Sequence, residues 1–114
     1  MTRKSFVPER GDIVWLDFTP QTGHEQAGHR PALVLSPKIY NRRTGMMLCC
    51  PLTTRIKGYP FEVLIESQST SGAALADHIK SLDWKARNAI YKDRAHPQAI
   101  EEVLAKARAL LQPK

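Results

Sequence analysis

The 114-residue chain carries 17 Lys+Arg against 11 Asp+Glu, a formal net charge of +6, with 42% hydrophobic and 25% charged residues. These proportions fit one ordinary globular domain over residues 1–114 and exclude a disordered, collagen-like or multi-domain chain. No apolar run approaches the ~20 residues of a membrane span. The opening MTRKSFVPERGD lacks the apolar stretch of a signal peptide, so no membrane partner and a cytoplasmic location are expected.

In chain order, 12–18 (DIVWLDF) predicts a strand, with Val14, Leu16 and Phe18 on one face and Ile13, Trp15 and Asp17 on the other. Pro20 and Gly23 then turn the chain into a polar loop that runs to Arg30. Pro31 opens a short apolar run over 32–35, stopped by Ser36-Pro37, and the polar residues 38–45 end in Gly45 and suit a helical turn or a long loop. Residues 46–54 predict a third strand, apolar on both faces as a buried strand is. A loop over 55–60 leads into 61–66, whose alternation points Phe61, Val63 and Ile65 inward. After the turn-rich 67–72, short β pieces are expected at 73–76, 78–82 and 88–92. Five to seven short strands at this spacing predict a mainly β, α+β fold built as a small barrel or curled sheet. The C-terminal segment is helical. Pro97 suits a first helical position, and Ile100, Val103, Leu104, Ala107, Leu110 and Leu111 form a stripe that would pack on the barrel. Glu101 and Glu102 in the first turns, with Lys106 and Arg108 near the end, suit the helix dipole.

The two cysteines, Cys49 and Cys50, are adjacent. A disulfide between neighbours is strained, and on a strand the two side chains point to opposite faces. That excludes a disulfide framework and a four-ligand zinc site, and leaves two small buried apolar residues. The cations Arg42, Arg43, Arg55, Lys57, Lys80, Lys85, Arg87, Lys92 and Arg94 fall mostly between or at the ends of apolar segments. Loop-borne positive charge on a β scaffold suits a phosphate backbone.

One loop concentrates chemistry. GHEQAGHRP, residues 23–31, holds two imidazoles, a carboxylate and a guanidinium. His24-Glu25 followed by His29 is one residue too long for the zinc-peptidase helix motif, and Gly28 and Pro31 oppose a helix, so no metal is expected. Phosphate chemistry fits better. Cleaving RNA without metal uses the neighbouring 2′-hydroxyl as nucleophile, and needs a base, a stabiliser for the phosphorane and a proton for the leaving 5′-oxygen. Arg30 offers a bidentate, permanently charged donor, Thr53 and Thr54 add neutral hydroxyls, and Glu25 and His29 are candidate bases. Each residue also has a plain structural reading. Arg30 alone suits a surface salt bridge, Thr53 a strand end, and His24, His78 and His96 surface or capping positions. Spacing alone supports a basic β-domain that binds nucleic acid.

The runs GDIVWLDFTP (11–20), GHEQAGHRPALVLSP (23–37), YNRRTGM (40–46), PLTTRIKGYPFEV (51–63) and ALADHIKSLDWKAR (74–87) resemble the MazF branch of the MazF/PemK toxin family over nearly the whole chain. The resemblance implies an SH3-like, CcdB/PemK-like barrel with short helices. It also implies a homodimeric, metal-independent and cofactor-free endoribonuclease that cleaves single-stranded mRNA at specific sequences. A small acidic MazE-like antitoxin would fill the RNA groove with an extended tail, and operator DNA would be met only through the toxin–antitoxin complex. By position in the family motifs, Arg30 and Thr53 form the catalytic pair, with weaker claims for Glu25 and His29. Thr54, Lys57, Asp77, Lys80 and Arg87 fall to RNA contacts. The PemK-like branch pairs its aspartate with an arginine two residues earlier; here Asp77 has Leu75 there, which moves Asp77 from catalysis to base contact or support. Two other readings stay open: a gyrase poison on the same barrel, needing no Arg30–Thr53 pair, and a non-catalytic nucleic-acid-binding barrel.

Overall fold

The computed structural model describes residues 6–18 and 28–112. These form seven strands, β1 (Asp12–Phe18), β2 (Gly28–Val34), β3 (Met46–Thr53), β4 (Glu62–Glu66), β5 (Ser71–Leu75), β6 (Lys80–Asp83) and β7 (Ile90–Arg94), and two helices, α1 (Lys38–Thr44) and α2 (Pro97–Leu111). All pairings are antiparallel, in the order β4-β5-β3-β2-β1-β7, with β6 also on β3. β3 is the hinge of this curled sheet. Its residues 49–51 pair with β2, while 46–49 pair with β6 and 52–53 pass to β5.

Alternation along β3 builds two cores. Cys50 joins Ile13, Leu33, Val63 and Ile65 beneath Ile100 and Val103 of α2. Cys49 joins Val14, Leu16, Ala32, Val34 and Met47 against Trp84 on the other face. Both thiols are free. Burial pushes Cys49 up to about 11 and Cys50 up to about 12, so both stay protonated at neutral pH.

β1 and the C-terminal helix fall where the sequence pattern places them; several other boundaries differ. β2 begins at Gly28 rather than near residue 32, because β1 offers ladder partners from Phe18 onward, and the supposed polar loop loses its last three residues to the strand. Pro31 is tolerated there because the β3 ladder begins only at Ala32, so that edge of Pro31 needs no donor. Residues 38–44 form a true helix, stopped by Gly45 in the left-handed region (φ 74°) with its N–H on the Asn41 carbonyl. The later β pieces sit at 71–75, 80–83 and 90–94, about two residues from their expected limits. β3 ends at Thr53, and it is not apolar-buried throughout, since Leu48 is 40% exposed. On α2 the stripe is buried at Ile100, Val103 and Ala107, whereas Leu110 and Leu111 are 49% and 77% exposed. Glu101 and Glu102 lie one turn too late to meet the helix N-terminus.

Asp93 on β7 ties the β4–β5 turn to the sheet. Its carboxylate accepts from the Ser69 N–H (2.8 Å), the Ser69 hydroxyl (3.2 Å) and the Arg94 N–H (2.7 Å). Burial alone would push this carboxyl up. The N–H groups of Ser69 and Arg94 and the hydroxyls of Thr70 and Ser69 outweigh that and hold it below the ordinary aspartate value. A depressed folded-state value adds stability that is full above the unfolded value and is lost as pH falls through the folded one. Thermal melts on an acid series are expected to show wild type and Asp93→Asn converging as pH drops below about 4. A gap that stays constant with pH would refute the role.

Candidate active site

Extending the β2–β3 register two residues past Ala32–Pro51 sets Arg30 opposite Thr53. Both belong to the face that carries Ala32 and Cys49, since strand side chains alternate. A cleft of about 300 Å³ lies on one side of this pair, walled by Leu16, Leu75 and Leu82 with His78 and Lys80 at its rim. A more polar cleft of about 600 Å³ lies on the other, lined by His29, Thr54, Arg55, Thr70 and Ser71. Arg30, Pro31, Leu52 and Thr53 line both, so the pair forms the saddle between them.

Thr53 is held for donation. Its Oγ1 accepts the Arg55 N–H at 3.0 Å, which leaves the hydroxyl proton for a ligand. Gly72 of β5 lets the Thr53 backbone pack closely on its neighbour strand, because a Cβ there would meet the Thr53 carbonyl oxygen at 2.6 Å. Lys80 reaches the site by pairing with Cys49, which points its side chain to the Arg30 face. Lys80 and Arg87 are close enough to bear electrostatically on the Cys49 thiol at the cleft floor. Arg87 is anchored through its carbonyl, which accepts the Asp17 N–H at 2.9 Å.

Not every expected residue converges there. Lys57 lies on the β3–β4 loop, away from both clefts, with its ammonium 5.8 Å from the Tyr59 ring; Glu62 accepts the Lys57 and Gly58 N–H groups and shapes that loop. Asp77 lines neither cleft and sits 3.7 Å from His78. Glu25 and His24 lie outside the described residues. His78 is more than the surface or capping histidine expected, since it helps line the smaller cleft. Its position two residues before Lys80, whose pairing with β3 turns inward, is the signal that could have found it.

His29 departs most from its neighbour. It faces away from Arg30 across β2 and meets its cross-strand partner Asp17, with Nε2 at 3.1 Å from Oδ1 and its ring 5.9 Å from that of Trp15. At the strand end it still lines the polar cleft.

A curled antiparallel sheet brings Arg30 and Thr53 together at a saddle between an apolar-walled and a more polar cleft, an arrangement able to receive an anionic group such as a phosphate. Comparison with known proteins agrees. The family described as "PemK-like, MazF-like toxin of type II toxin-antitoxin system" matches residues 9–111. Endoribonuclease toxin MazF of Escherichia coli strain K12 is 52% identical over 106 residues, covering 93% of this chain and 96% of that protein. Endoribonuclease toxin ChpB of the same strain is 36% identical over 98% of this chain and 100% of its own length. The MazE–MazF crystal structure (Form-II) from Deinococcus radiodurans superposes with a TM-score of 0.90 at 51% identity, covering 96% of this chain and 100% of that one. The chain belongs to the PemK/MazF family of type II toxin–antitoxin toxins.

Proposed function

We propose that this chain is the toxin of a type II pair and acts as a sequence-specific, metal-independent endoribonuclease on single-stranded mRNA, blocking translation and growth. The observation that carries the reading is the juxtaposition of Arg30 and Thr53, on adjacent strands, at the saddle between two clefts. The guanidinium grips two non-bridging phosphate oxygens and the Thr53 hydroxyl a third contact, and both gain strength as charge builds on phosphorus. Glu25 or His29 supplies the base. The products are a 2′,3′-cyclic phosphate and a 5′-hydroxyl, and DNA resists because it lacks the 2′-hydroxyl. Thr54, Lys80 and Arg87 steer the strand along the clefts, with Lys57 and Asp77 farther out on the rim.

The relatives' MazE–MazF structures support an acidic MazE-like antitoxin as inhibitor. The reading includes a homodimer of single-domain chains over residues 1–114, operator DNA met only through the toxin–antitoxin complex, and a cytoplasmic site of action. No helix among the described residues is long and apolar enough to cross a membrane. Purified, antitoxin-free protein incubated with long mixed-sequence RNA in excess EDTA is expected to give discrete cuts with 5′-hydroxyl ends and a shared short motif. RNA left intact by folded protein would overturn the reading and favour a gyrase poison or an inert binding module.

A further inference from the structure

Asp17, absent from the catalytic reading above, is a partly exposed carboxylate held by contacts from two elements. Its Oδ1 meets His29 Nε2 at 3.1 Å and its Oδ2 accepts the Asn88 side-chain N–H at 2.9 Å. Its backbone is fixed on both sides of the residue: the N–H goes to the Arg87 carbonyl at 2.9 Å, and its own carbonyl accepts Arg87 Nη1 at 3.4 Å. β1–β2 pairing sets Asp17 directly across from His29. The ladder and the Asn88 contact together hold the carboxylate on the side facing the imidazole.

We propose that Asp17 is a positioning residue and that His29 is the general base of the cleavage reaction, an inference that rests on the ribonuclease reading above. With Nε2 turned to the Asp17 carboxylate at 3.1 Å, the proposal places the ring hydrogen on Nε2, since a carboxylate accepts, and the lone pair on Nδ1. His29 lines the polar cleft with Arg30, Thr53, Thr54 and Arg55, and its side chain is 48% exposed, open to a substrate. Asp17 on β1 is paired with the imidazole, Lys92 on β7 stands 5.1 Å from the Trp15 ring that neighbours it, and Arg30 and Arg55 line the same cleft. Nδ1 takes the 2′-hydroxyl proton, and O2′ bonds to phosphorus as the P–O5′ bond breaks. The leaving 5′-oxygen takes a proton from water, and the imidazolium returns its own to the hydroxide so formed.

Asp17→Asn is the discriminating variant. The amide can turn its NH2 toward Nε2, which moves the ring proton to Nδ1 and removes the base's lone pair. A single-motif RNA oligonucleotide serves as substrate, and its 2′-deoxy analogue, which cannot react, reports folding and binding. The expected results are a fall of about 10²–10⁴-fold in kcat for His29→Ala, partly rescued by added imidazole, and a fall of about 10–100-fold for Asp17→Asn with KM unchanged. Asp17→Glu restores part of the rate, and all variants bind the deoxy analogue as wild type does. Absence of imidazole rescue, or wild-type turnover by Asp17→Asn, overturns the proposal, as does a rate lost only on Glu25→Gln. Wild-type protein that cuts no RNA overturns the ribonuclease reading instead.

Discussion

Arg30→Ala is expected to lower RNA-cleaving turnover by about 10²–10³-fold while leaving the melting temperature within a degree or two of wild type. The two halves of this result come from different features. Arg30 is exposed near the start of β2, so truncating it opens no cavity, and the surface contact it gives up is worth only about 0.5 kcal/mol. Its chemical loss is large because a donor aimed at developing charge is worth about 3–4 kcal/mol in the transition state. Arg30→Lys tests the fork rather than the charge. A lysine keeps the cation but cannot make the bidentate contact, and it is expected to recover no more than about tenfold. Thr53→Val removes the hydroxyl donor at constant shape and leaves the Arg55 N–H without its 3.0 Å acceptor. If Arg30 and Thr53 act on one phosphate, the double variant loses much less than the product of the single losses. Single-turnover rates with saturating protein separate this from weakened binding. Arg30→Ala turning over at more than a tenth of the wild-type rate would remove Arg30 from the chemistry.

How far the sequence could anticipate this site depends on how local each feature is. β1 was legible because residues 13–16 form a short, β-branched and aromatic apolar run that furnishes both strand faces, and α2 because its apolar stripe recurs over several turns. The opposite burial of Cys49 and Cys50 followed from alternation alone. The strand state of Gly28, His29 and Arg30 was not legible, because three polar residues have no apolar period and become a strand only through pairing with β1. The saddle was hidden for the same reason. Family motifs named Arg30 and Thr53, but their apposition depends on the β2–β3 register, set by pairs such as Val34–Cys49 that lie distant in sequence. The meeting of Asp17 with His29 was hidden because it arises only through the β1–β2 pairing, and the place of His78 in the smaller cleft because it lies in the turn before β6, outside any ladder.

Asn41→Ala is expected to produce the opposite phenotype, a protein destabilised by about 3–4 kcal/mol whose surviving folded fraction cuts RNA normally. Asn41 is fully buried on α1 and joins four parts of the chain. Its side-chain N–H groups donate to the Pro8 carbonyl (2.8 Å) and the Ser36 carbonyl (3.1 Å), its Oδ1 accepts the Ser36 hydroxyl (2.6 Å), and its backbone carbonyl accepts Trp84 Nε1–H (2.9 Å). Ser36 Oγ in turn accepts the Leu48 N–H at 2.8 Å. Alanine strands two carbonyls and a hydroxyl without water to replace their partner, and each such group costs about 1–3 kcal/mol. Asn41→Asp fares no better. It keeps an acceptor for Ser36 but sets carboxylate oxygen against two carbonyls in a buried site. Against a typical total of about 5–15 kcal/mol this is a large fraction, and urea melts at constant slope would read it directly. A loss below about 1 kcal/mol would mean that the hub relaxes or admits water. The Asn41 hub and the Arg30–Thr53 saddle share no residue, so their effects are expected to add. Arg30→Ala in an Asn41→Ala background would then lose the same fold in turnover per folded molecule. Unequal losses would mean that the core under Trp84 and Cys49 transmits its strain to the cleft above it.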